Sequence, residues 1–295
     1  MVWRCFSVWA LSIFWGCLPL HASENGAGDR PLIEIIRGEA IQGGLMVFRL
    51  ARGYQVRIDE APAVMSDEGM FVLGFHRDDT APVRLDILNQ TGTLAQQHLI
   101  TPEAQEYAVQ RIDNLPTAMV SPDEAVITRI QQDRADVFTA RANSSDITDA
   151  LEGGFDWPLS GRITGVYGSQ RILNGKPRQP HYGIDIAAAT GTPVRSAADG
   201  IVTMATSLYF TGGTVIIDHG YHLSTTYSHL DSLSVQPGQM VRRGQIIGGV
   251  GSTGRSTGPH LDWRANWGAK RLDPALISHP PDVPLPSPRP SRPTP

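Results

Sequence analysis

Between Gly154 and Ile277 glycine recurs every few residues, and no stretch after Phe155 sustains the period of an amphipathic helix. Glycine costs an interior helix position about 1 kcal/mol relative to alanine, so such a segment reads as short strands joined by turns. The pattern predicts strands over residues 161–167, 193–197, 201–205, 214–218, 223–229, 245–250 and 260–265, with Ala198-Asp-Gly200 as a tight hairpin turn. The expected fold class is all-β, with an antiparallel β-sheet domain over residues 154–277.

The preceding part is also strand-rich. Residues 45–50, 55–59, 70–75 and 83–88 read as short runs of period two, separated by the turn clusters Ser66-Asp-Glu-Gly69 and Asn89-Gln-Thr-Gly92. Strands at this spacing suggest a small β-sandwich over residues 30–116. Ser121-Pro-Asp-Glu124 is a capping box with proline at the first helical position. Val126, Ile127, Ile130, Val137 and Phe138 follow near helical spacing, so one linking helix is expected over residues 121–142. Residues 279–295 are Pro-rich and read as an extended tail with no core of its own.

At 295 residues the chain has room for two domains, and its formal net charge of -4 offers no electrostatic ground for a nucleic-acid partner. Arg4, the apolar run from Cys5 to Leu20 and the small residue Ala22 read as an export signal over residues 1–22. The run is about 15 residues, short of the roughly 20 a membrane helix needs. No membrane span is expected after cleavage, and the protein belongs in the periplasm or cell envelope. Cleavage removes Arg4 with Cys5 and Cys17, leaving 24 basic residues against 29 acidic ones and no thiol. That excludes a disulfide framework, a thiolate metal site and a cysteine nucleophile, so a metal must be held by His, Asp or Glu.

Three pieces carry the residues able to do chemistry: His181-Tyr-Gly-Ile-Asp185, Tyr227-Ser-His229-Leu and His260-Leu-Asp262. Imidazoles and carboxylates bind a divalent metal through N and O donors. On a strand His260 and Asp262 face one side, while Leu261 and Trp263 face the other. His181 and Asp185 would lie roughly 13 Å apart on an ideal strand. They can reach one ion only if the backbone bends between them, which Gly183 permits. His76, His98, His219 and His222 lack such company and read as surface or turn residues.

Taken in order, His181-x-Gly-x-Asp185, Gly191-Thr-Pro-Val194, Ala198-Asp-Gly200, Tyr227-Ser-His229-Leu and Gly258-Pro-His260-Leu resemble the lysostaphin/LytM-type zinc metallopeptidases over residues 155–277. The resemblance implies an antiparallel β-sheet core with a groove, and cleavage of peptidoglycan stem peptides or cross-links. By position it implies His181 and Asp185 as the first two Zn2+ ligands, and His229 and His260 as the catalytic histidines. The third ligand of that family is the last residue of a His-x-His pair; here that residue is Asp262.

Aspartate is a legitimate zinc ligand. Two carboxylates and one imidazole, however, would neutralise the metal's formal charge and weaken its action on bound water and carbonyl. The reading is a secreted zinc metalloendopeptidase with an altered site. Its alternative is an inactive relative that binds and activates a cell-wall amidase. Arg171, Lys176 and Arg178, just before His181, are candidates for meeting substrate carboxylates. A carrier-domain reading of the hairpin around Val235-Gln-Pro-Gly is rejected. The only lysines, Lys176 and Lys270, lie outside that hairpin.

Overall fold

The computed structural model describes residues 31–112, 124–142 and 144–280. The export-signal segment, the capping box at residues 121–123 and the tail beyond residue 280 lie outside the described residues.

The N-terminal part contains β1 (Ile33–Arg37), β2 (Leu45–Leu50), β3 (Gln55–Ile58), β4 (Ala61–Pro62), β5 (Met70–Gly74), β6 (Val83–Leu88), β7 (Leu94–Ile100) and β8 (Val109–Ile112). A sheet of order β1-β2-β5 faces a sheet of order β4-β3-β6-β7, all antiparallel. The sandwich core is Met46, Phe48, Leu50, Phe71, Leu73 and Phe75 against Val56, Val83, Leu85 and Ile87. Residues 45–50 and 70–75 are apolar almost throughout and do not alternate with polar ones. The reason is that β2 and β5 are buried on both faces. Leu45, Val47, Met70 and Val72, the other face, join the core of the C-terminal domain. β8 leaves the sandwich altogether and pairs in parallel with β10.

Two helices follow: α1 (Glu124–Ala142) and the short α2 (Asp149–Gly153). The C-terminal domain contains β9 (Arg162–Gly165), β10 (Gln170–Leu173), β11 (Lys176–Pro177), β12 (Ile184–Ala187), β13 (Pro193–Arg195), β14 (Gly200–Leu208), β15 (Gly212–Asp218), β16 (Leu223–Leu233), β17 (Met240–Val241), β18 (Ile246–Val250), β19 (His260–Trp267) and β20 (Lys270–Leu272). One turn of helix, α3 (Pro274–Ile277), is capped by the Asp273 carboxylate accepting from the Ala275 N–H. The main sheet runs β17-β14-β15-β16-β19-β12-β9, with β18 joining β16 to β13 and β20 on β19.

Ala198-Asp-Gly200 does not close a hairpin. β13 pairs with β18, while β14 pairs with β15 and β17. The Asp199 carboxylate instead ties this turn to Arg242 and Arg243. The basic stretch before His181 is the β10–β11 hairpin. Among the described residues, no helix is long and apolar enough to cross a membrane.

Candidate active site

The site is assembled on one face of the main sheet, by register. Asp185 on β12 stands opposite Asp262 on β19, and Asp262 stands opposite Ser228 on β16. Residues paired across an antiparallel ladder share a face. One step along, Ile184, Trp263 and Tyr227 point the other way into the core, with Leu261 and Ile186. The strand alternation read for His260-Leu-Asp262 therefore holds for Leu261 and Asp262.

His181 lies before β12, where its backbone N–H donates to the Ser169 carbonyl and its carbonyl accepts from Gly168. The chain bends at Gly183, and His181 Nε2 comes to 3.0 Å from Asp185 Oδ1 and 4.0 Å from Asp262 Oδ1. One donor atom from each of His181, Asp185 and Asp262 lies within 4.8 Å of the others, and all three residues are buried. Both carboxylates sit over glycines. A Cβ at Gly165 would meet Asp185 Oδ2 at 2.2 Å, and one at Gly183 would meet Asp262 Oδ1 at 2.6 Å. The β12–β9 register slips at Asp185, a bulge of the kind that re-aims a side chain.

His229 and His260 flank this cluster with ring centroids 4.8 Å apart. His229 does not end its strand. It sits within β16 at a φ of 65°, where the register against β15 slips, and its N–H donates to the Thr211 carbonyl. A non-glycine residue held there is strained backbone of the sort found at functional sites. His229 Nδ1 lies 2.8 Å from the Thr253 carbonyl oxygen, and His260 Nδ1 lies 2.8 Å from that of Gly258. A carbonyl only accepts, so each Nδ1 carries the hydrogen and each neutral ring keeps its Nε2 lone pair. His260 Nε2 lies 3.9 Å from Asp185 Oδ1. Burial holds the His229 pKa below the ordinary histidine value, partly offset by the bond to Thr253.

Arg264, two residues beyond Asp262 on the same face, went unrecognised in the sequence. Its Nε donates to Asp262 Oδ1 and Oδ2 at 2.9 and 3.1 Å, and its Nη2 also donates to Oδ2. Burial disfavours the Asp262 carboxylate, but the Arg264 guanidinium more than offsets this and holds the carboxyl well below the usual range. The i, i+2 spacing on a predicted strand was the available clue.

Helix α1 lies over this same face. Ala140 and Val137 cluster with Met204, Leu208 and Ile216, and Arg141 Nη2 donates to Thr226 Oγ1 at 2.9 Å. Thr226 is opposite Arg264 in register. The side chains of Arg171 and Lys176 lie outside what the structure describes, and Arg178 is partly buried. His219 is not a surface residue. It is fully buried, with Nδ1 against the Asp199 carbonyl and Nε2 against Thr225 Oγ1, both at 2.7 Å.

A divalent ion suits this set. Three buried N and O donors converge, the two glycines leave the carboxylates room, and the buried Ser228 Oγ opposite Asp262 has no hydrogen-bond partner among the described residues.

Comparison with known proteins agrees with the geometry. Residues 179–274 match the model of Peptidase family M23. The chain is 48% identical over 119 residues to the peptidoglycan DD-endopeptidase ShyA of Vibrio cholerae, covering 39% of this chain and 28% of that protein. It is 45% identical over 100 residues to the DD-carboxypeptidase/endopeptidase Mpg of Neisseria meningitidis, covering 34% and 23% respectively. These matches span about a quarter of the length of the curated relatives. A crystal structure of an M23 peptidase from Pseudomonas aeruginosa superposes with a TM-score of 0.60 at 25% identity, covering 81% of this chain and 94% of that one. The resemblance read from the motifs thus holds at the level of the family. Residues 179–274, about a third of the chain, carry a Peptidase family M23 domain.

Proposed function

We propose that the protein is an exported zinc metalloendopeptidase that hydrolyses peptide bonds in peptidoglycan stem peptides or cross-links. The observation that carries this reading is the register pairing of Asp185 with Asp262 beside His181, flanked by His229 and His260, whose Nδ1 atoms are taken up by the Thr253 and Gly258 carbonyls. Names of relatives that act on peptidoglycan support the substrate class.

In this reading His181, Asp185 and Asp262 would hold the ion, whose chemistry there would be to acidify a water and polarise the scissile carbonyl. Nε2 of one of His229 and His260 accepts the water's proton and passes it to the leaving amine. The other already donates Nδ1–H to its carbonyl, so it would give a hydrogen bond to the oxyanion only once Nε2 is protonated as well. The carbonyls of Thr253 and Gly258 fix both rings so that no reorganisation is needed. Arg171, Lys176 and Arg178 are proposed to meet substrate carboxylates; unchanged KM and turnover on replacing all three by alanine would remove them from the site.

The second reading is a catalytically inactive regulator of a cell-wall amidase, favoured by the Arg264 fork on Asp262. Metal content and release of peptide from purified sacculi, measured on the protein and on Asp262→Asn, separate the two. Bound zinc with release, both lost in the variant, supports the enzyme. A folded, zinc-free protein that releases nothing even with added metal leaves the regulator.

A further inference from the structure

We propose that Arg264 is a positioning residue that lets an aspartate serve as the third donor of the metal centre, by aiming its carboxylate and returning one unit of positive charge to the site. This inference rests on the metallopeptidase reading above. A set of one carboxylate and two neutral imidazoles carries a charge of −1. Replacing one imidazole by a carboxylate makes it −2. Arg264, bonded to that same carboxylate, brings it back to −1. The excess negative charge that Asp262 would place on the ion is thus cancelled by its strand neighbour.

The geometry supports this in three ways. The bond is a fork that takes both carboxylate oxygens, so it fixes the plane of the carboxylate as well as its distance. A carboxylate has about four lone-pair positions, so Oδ1 can accept from Arg264 Nε and still face His181 Nε2 at 4.0 Å. The fork itself is built in by the backbone. A Cβ at Gly183 would meet Arg264 Cγ at 2.7 Å as well as Asp262 Oδ1 at 2.6 Å, so the missing side chain at 183 seats both members of the pair. Aspartate is shorter than histidine, and a carboxylate reaching from the same strand position benefits from being aimed rather than left to rotate.

The competing account is that Arg264 is a structural salt-bridge partner with no bearing on the ion. The two accounts differ in how positions 262 and 264 couple. If Arg264 is matched to a carboxylate, then histidine at 262 leaves an uncompensated guanidinium beside a dication.

The test is a cycle of four full-length proteins: the natural chain, Asp262→His, Arg264→Ala and the double variant. Zinc affinity is read by competition with a chromophoric chelator, and coordination by the visible absorption of the Co2+-loaded protein. A urea midpoint for each protein shows that it is folded. The expected result is that Asp262→His alone binds zinc at least tenfold more weakly than the natural chain, although it raises the number of histidine donors from one to two. The double variant recovers that affinity, and the Co2+ band of Arg264→Ala differs from that of the natural chain. Zinc binding by the natural chain together with equal or tighter binding by Asp262→His would overturn the role of Arg264 and leave the metallopeptidase reading standing. A folded natural chain that binds neither Zn2+ nor Co2+ would overturn both.

Discussion

Replacing Gly183 by alanine tests the site without touching a donor. Its Cβ would lie 2.6 Å from Asp262 Oδ1, 2.7 Å from Arg264 Cγ and 2.7 Å from the Trp263 carbonyl oxygen. Ordinary contact begins at 3.4 Å, so the carboxylate oxygen must retreat by about 0.8 Å. Metal–donor distances hold to about 0.2 Å, so a shift of that size removes Asp262 from a shared ion. The backbone contact offers no escape, because β19 is paired on one side with β12 and on the other with β16. Overfilling of this kind costs about 1–3 kcal/mol. The expected outcome for Gly183→Ala is a lowered urea midpoint, corresponding to that loss of unfolding free energy, and zinc affinity reduced at least tenfold. Gly258→Ala, where nothing lies within 4 Å of the new Cβ, is the stability control. A Gly183→Ala protein with unchanged midpoint and unchanged zinc affinity would refute the claim that the missing side chain seats the Asp262–Arg264 pair.

His229→Ala and His260→Ala should each lower turnover on sacculi by about a hundredfold or more while zinc content stays at the natural level, since acid–base groups contribute 10²–10⁴ and neither residue is assigned as a donor. Burial lowers the His219 pKa to about 4, so the unfolded chain binds the extra proton between about 4 and 6.5. The stability this histidine contributes is complete above pH 6.5 and lost as the pH falls toward 4, by about 3 kcal/mol; urea midpoints at pH 4.5 and 7.5 should converge in His219→Gln, and an unaltered pH slope would remove the attribution. Burial raises Asp273 to about 6, so the folded state holds its proton longer and stability falls as pH rises from about 4 to 6. Asp273→Asn keeps an acceptor for the Ala275 N–H and should raise the melting temperature at pH 7.5, a gain that calorimetry would register and that should vanish at pH 4.

Several strands were legible because their side chains alternate or their turns are marked. Residues 83–88 were read with the bounds found, and 214–218 and 260–265 fell inside longer strands. β12 was not read as a strand. Ile184-Asp-Ile-Ala is short and almost wholly buried, with a buried carboxylate where a solvent-facing residue would normally mark the period. β7 escaped for the opposite reason, since Ala95-Gln-Gln-His98 is largely exposed at a sheet edge. The proposed donors His181, Asp185 and Asp262 could be named from the motif order, but their juxtaposition depends on the pairing of Asp185 with Asp262, far apart in the chain. Arg264 shares the alternation of the predicted strand, but nothing in the sequence says that its side chain turns onto Asp262. A polar residue two positions after a suspected ligand is as readily a solvated strand residue, and only the assembled sheet partly buries it against its neighbour. Gly183 was read as a hinge; its stronger constraint is the close approach of β19, which only the assembled sheet reveals.

The sandwich is tied to the active site by more than its position in the chain. β2 and β5 bury one face in their own sandwich and the other in the peptidase core, and Gly74 on β5 leaves room for Trp267, which touches both cores. That union places the segment after β5 beside the loop that carries His181. Arg77 Nε donates to the Gly168 carbonyl at 2.7 Å, and the Gly168 N–H donates to the His181 carbonyl at 2.7 Å. Arg77 is itself held over the Tyr107 ring at 4.3 Å, and Asp79 pairs with Lys270 at 2.8 Å. A chain of three residues therefore runs from the sandwich to the backbone of His181, the one proposed donor that lies outside a strand. Asp185 and Asp262 are fixed by the ladder of the main sheet. His181 has no ladder, and the contacts of Arg77 and Gly168 supply the rigidity that β-pairing supplies to the other two.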